Sequence, residues 1–68
     1  MKPFDNEIQA FTGELKFFAK NTFKDENREN ERKRLISRYE KIQKFPILEI
    51  SQRIWDNMIK ALEDAALI

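Results

Sequence analysis

Only one glycine and two prolines interrupt this 68-residue chain. Sheets of short strands need turn chemistry every ~8 to 12 residues, supplied mainly by Gly, Pro, Asn and Asp in fixed arrangements. So little punctuation leaves the all-α class.

Hydrophobic spacing divides the chain into three helices. Phe4, Ile8, Phe11, Leu15 and Phe18 recur at alternating steps of four and three and are continued by Thr22, which at about 100° per residue places them on one narrow stripe. The first helix is expected over about 3–20, with Pro3 tolerated in its first turn and Asp5 and Glu7 near the positive end of its dipole. Asn21 and Thr22 read as punctuation.

A second helix is expected over 25–44. Lys24 to Arg34 contains only Lys, Asp, Glu, Asn and Arg, so that stretch has nothing to bury and is expected to project past the core or to be mobile. Spaced pairs such as Glu29 with Lys33 and Glu40 with Lys44 support it. Leu35, Ile36, Tyr39 and Ile42 form the half that packs.

Pro46 disfavours helix at Phe45 but suits the first turn of a new one. The third helix is therefore expected over 47–66, with Ile47, Leu48, Ile50, Ile54, Trp55, Met58 and Leu62 on a wide apolar arc. A variant has Phe45 to Ile50 as an extended connector and Ser51 as the cap of a shorter helix. Because the arc is wide, helix 3 is expected to touch both other helices in a three-helix bundle forming a single small domain over 1–68. Such a chain buries only about 60% of its unfolded surface, so dimerisation or a partner is a natural way to complete the core.

The missing residue types constrain chemistry more than those present. There is no His and no Cys, which removes the commonest neutral-pH base and metal ligand, thiol nucleophiles and sulfur-ligated zinc. Ser37, Ser51, Thr12, Thr22 and Tyr39 have no imidazole to activate them, and the lone Gly13 cannot cradle a phosphate. The expectation is a non-enzyme with no cofactor, no metal and no small-molecule substrate. Apolar runs are only a few residues long and no export signal is visible, so neither membrane association nor secretion is expected and the cytoplasm is the default compartment.

Two surfaces stand out as candidates for binding. Lys33, Arg34, Arg38, Lys41 and Lys44 project from helix 2 away from its apolar face, in a stretch from Arg32 to Lys44 that nets +5, although the whole chain nets only +1. Such a row can meet an acidic protein surface or track a phosphate backbone. On helix 1, Asn6, Ala10, Gly13 and Phe17 form a second stripe, where small residues admit a close neighbour and Phe17 supplies an aromatic anchor.

Eight aromatic residues, six of them Phe, exceed what so small a monomer easily encloses. The sequence thus reads as a protein-binding module, acting as a regulator, inhibitor or assembly subunit, with a homodimer as one form. A nucleic-acid-binding regulator using the basic row is the second reading.

Overall fold

The apolar stripes assemble as three helices in the computed structural model, which describes residues 2–21 and 25–68. Expectations placed on Thr22 and Lys24 lie outside those residues. The helices are α1 (Asp5–Lys20), α2 (Asp25–Ile42) and α3 (Gln52–Asp64), with a short 3₁₀ turn (Ile47–Glu49) between the last two. The chain is an all-α three-helix bundle, elongated at 38 × 19 × 17 Å.

The first stripe does what its spacing implies: Ile8, Phe11, Leu15 and Phe18 are buried. They meet Leu35 and Ile42 of α2, Ile50 of the connector, and Met58, Ala61, Leu62 and Ala65 at the end of the chain. Each such large side chain contributes about 1.5–3 kcal/mol by leaving water. It is α1, rather than α3, that has substantial packing against both other helices, most extensively along α3. Phe4, Phe45, Tyr39 and Trp55 are only partly buried against this core.

The end of α2 and the start of α3 differ from the primary expectation. α2 stops at Ile42, two residues short of Lys44, because its last amides turn to tighter bonds: Lys44 donates to the Lys41 carbonyl and Phe45 to that of Ile42. Pro46 then holds an extended conformation (φ −64°, ψ 118°) and starts only the three-residue 3₁₀ turn. Ile50 and Ser51 are also extended, and α3 begins at Gln52, close to the Ser51-capped variant. Ile47 and Leu48 therefore leave the expected apolar arc and stand 59% and 83% exposed.

α3 also ends two residues before Ala66. The Ala66 amide donates to the Glu63 carbonyl and Leu67 to that of Leu62, both 3.0 Å, with Ala66 in the left-handed region at φ 58°. This is a Schellman closure made without the usual glycine.

Nor do the spaced pairs on α2 form as expected. Glu29 lies 3.8 Å from Arg32 instead of pairing with Lys33, and Glu40 and Lys44 make no ion pair among the described residues. The polar half of α2 is helical from Asp25, and Arg28 lies over the Phe18 ring at 4.4 Å, a cation–π contact that gives this half a hold on the core.

Candidate functional site

The α1 stripe lies opposite the core. Asn6, Ala10, Gly13 and Phe17 are all exposed, Phe17 at 63%, and α1 runs unbroken through Gly13 to Lys20. A Cβ added at Gly13 would meet nothing within 4 Å. The glycine is therefore not required by packing inside the monomer, although in a helix it costs about 1 kcal/mol relative to alanine.

The basic row on α2 is divided. Arg34 and Arg38 reach across to α1, where both bind Glu14: Arg34 Nη2 donates to Glu14 Oε1 at 3.1 Å, and Arg38 Nη1 donates to Glu14 Oε2. Arg34 also binds Glu31 through Nε at 3.0 Å. This hydrogen bond holds the Glu31 carboxyl below its ordinary range and raises the Arg34 guanidinium, with their mutual charge attraction adding in the same direction and partial burial opposing it. Arg38 lies over the Phe11 ring, 5.2 Å from its centre. Lys33, Lys41 and Lys44 remain exposed and make no ion pair among the described residues.

Glu14 brings the two candidate surfaces together. It stands four positions after Ala10 and three before Phe17, which makes all three neighbours on the helix surface. The Arg34 and Arg38 pair thus borders the apolar stripe, while the lysines of the row are not drawn into the Glu14 network.

Sequence reasoning missed Glu14, the counter-charge that draws both arginines across to α1. An available signal was a carboxylate beside the α1 core stripe, facing a helix rich in arginine. Also missed was the exposed apolar tip at Ile47 and Leu48, whose phase matched the α3 core.

The tip belongs to a well-tied end of the bundle. Asp5 is fully enclosed; its Oδ1 accepts the Ser51 amide at 2.8 Å, and its Oδ2 accepts the Ser51 hydroxyl at 2.6 Å and the Lys2 amide at 2.9 Å. Burial pushes the Asp5 carboxyl up, but the hydrogen bonds from Ser51 and Lys2 together outweigh it and leave it below its ordinary value. Beside it, Phe4 stacks on Phe45 with centroids 4.5 Å apart, and the Phe4 amide donates to the Glu49 carbonyl at 3.4 Å. The Ser51 hydroxyl and the Asp5 carboxylate are thus spent on joining α1 to α3.

Among the described residues no group of three or more acidic side chains is arranged to hold a metal ion, and no helix is long and apolar enough to cross a membrane. Compared with known protein families, curated proteins and solved structures, the chain matches none.

Proposed function

We propose that this chain is a small, non-enzymatic protein-binding module of the cytoplasm that docks through the outer face of α1 and serves as a regulator, inhibitor or assembly subunit. The observation that carries this reading is Phe17, 63% exposed on the side of α1 opposite the core, beside a glycine whose missing side chain relieves no internal contact. An exposed aromatic next to a place of close backbone approach is how a helix-on-helix interface is commonly anchored. Exposed Lys33, Lys41 and Lys44 on α2, which make no ion pair among the described residues, can steer a partner with an acidic surface, and a second copy of the chain is the simplest partner for the α1 face.

The same geometry weighs against the nucleic-acid reading. Glu14 and Glu31 already neutralise the two arginines of the row, which leaves three lysines for phosphates. The test is Phe17→Ser in two measurements, sedimentation of the pure chain and co-purification from its native source. Association that is lost while thermal stability stays constant supports the module. Association that survives the substitution, or a duplex gel shift weakening steeply with salt, overturns it.

A further inference from the structure

α1 and α3 run side by side in the same direction: Asp5 meets Ser51 at one end, and Lys16 lies beside Lys60 and Asp64 near the other. A continuous groove follows their solvent side. Its successive hollows overlap, sharing Gln9, Ile54 and Asn57 at one junction and Lys16 and Asn57 at the next.

Its floor is mixed. Half-buried Ile54 and the methyl of buried Ala61 supply the apolar contacts, buried Thr12 lies between the helices, and the exposed side chains of Gln9 and Asn57 line the junctions, with Gly13 at the edge shared with the Phe17 stripe. The rim, in contrast, is cationic. Lys16, Arg53 and Lys60 are exposed and none makes an ion pair among the described residues. Asp64 is the one carboxylate lining the groove that is free of the Asp5–Ser51 clamp. On a chain that nets only +1, this is a local excess of positive charge with no internal use.

The run from Asp5 to Lys16 spans about 17 Å, or three helical turns, a length suited to a helix lying in the groove. We infer that the α1–α3 groove receives an amphipathic helix of a partner protein, its apolar stripe seated over Ile54 and Ala61 and its flanks carrying carboxylates against Lys16, Arg53 and Lys60. This rests on the reading of the chain as a protein-binding module but assigns a face other than the one carrying Phe17. A polyanion would use the same cations and leave Ile54 without a counterpart, so Ile54 favours the helix.

Two synthetic helical peptides of about 18 residues test this, one with a leucine stripe flanked by Glu and one identical but flanked by Lys. Each is titrated into the isotope-labelled full chain at fixed salt, alongside a DNA duplex, and amide shifts are followed. The Glu-flanked peptide is expected to give saturable shifts along Gln9 to Lys16 and Ile54 to Lys60, and the Lys-flanked peptide none. Lys16→Glu combined with Lys60→Glu is expected to weaken the first at least about tenfold and admit the second; both positions are exposed, and circular dichroism checks that the variant is folded.

Phe17→Ser is expected to leave peptide binding unchanged, so failure of the α1 docking face and failure of the groove are told apart. No binding by either peptide, equal binding of both, shifts confined to α2, or tighter binding of the duplex each overturns the inference.

Discussion

The Asp5 carboxylate accepts both the amide and the hydroxyl of Ser51, a residue 46 positions away. The residue expected to cap α3 with its own side chain makes no such cap; its hydroxyl is turned to α1 instead. One enclosed carboxylate thereby fixes the start of α3 relative to the start of α1, and with them the connector that carries the exposed tip.

Stability should consequently depend on the charge of Asp5. Its carboxyl is held below its ordinary 3.8 in the folded chain, so the folded state binds protons less readily than the unfolded one. The stabilisation is complete above that value and is lost as pH falls through the folded pKa. Glu31, lowered from 4.5 by Arg34, acts in the same direction over a similar window. Melting temperature is expected to be flat near neutrality and to fall below about pH 4, with Asp5→Asn lower at pH 7 and less sensitive to acid than the parent. Parallel acid profiles for the two chains would contradict the assignment.

The Arg38 bond to Glu14 ties α2 to α1 at the edge of the core. Both side chains are about one-third exposed, so solvent screening keeps the coupling near that of a surface pair, about 0.5–1 kcal/mol in a double-mutant cycle of Glu14→Gln with Arg38→Met. The coupling is expected to shrink in high salt. A value indistinguishable from zero at low salt would show that the two side chains do not hold the helices together.

Ala66 carries a left-handed backbone (φ 58°) at the close of α3, where a Cβ crowds the following carbonyl. Ala66→Gly is expected to stabilise the chain by about 1 kcal/mol, with the gain reduced by the added freedom of glycine in the unfolded state. Denaturant midpoints of the two chains measure it, and a lower midpoint for the glycine variant would rule out strain at this position.

The same residue shows what could be read from the sequence and what could not. The Phe4 to Phe18 stripe was legible because a periodic apolar face carries its own burial partner requirement. The end of α3 was not, since no glycine marks the turn at Ala66. Ile47 and Leu48 fell in phase with Ile54 and Met58, yet the start of α3 is set at Ser51, beside an aspartate in a different helix. Arg34 and Arg38 were legible as charges, but their direction depends on Glu14, 20 and 24 positions away, and periodicity carries no such information.

Phe17 and Leu15 lie two residues apart on α1 with opposite surroundings, 63% and 0% exposed. Truncating a buried leucine removes transfer energy and leaves a cavity, so Leu15→Ala is expected to cost about 2–5 kcal/mol. That is much of the roughly 3–10 kcal/mol available to a domain of this size, and the variant should be partly unfolded at moderate temperature. Phe17→Ser removes a larger side chain but no core contact, and its unfolding free energy is expected to stay within about 0.5 kcal/mol of the parent. If the aromatic ring belongs to a binding face, the two substitutions separate cleanly: Leu15→Ala loses structure and association together, Phe17→Ser association alone. Circular dichroism melts beside sedimentation of both variants make the comparison, and a Phe17→Ser chain that melts as early as Leu15→Ala would return the ring to the core.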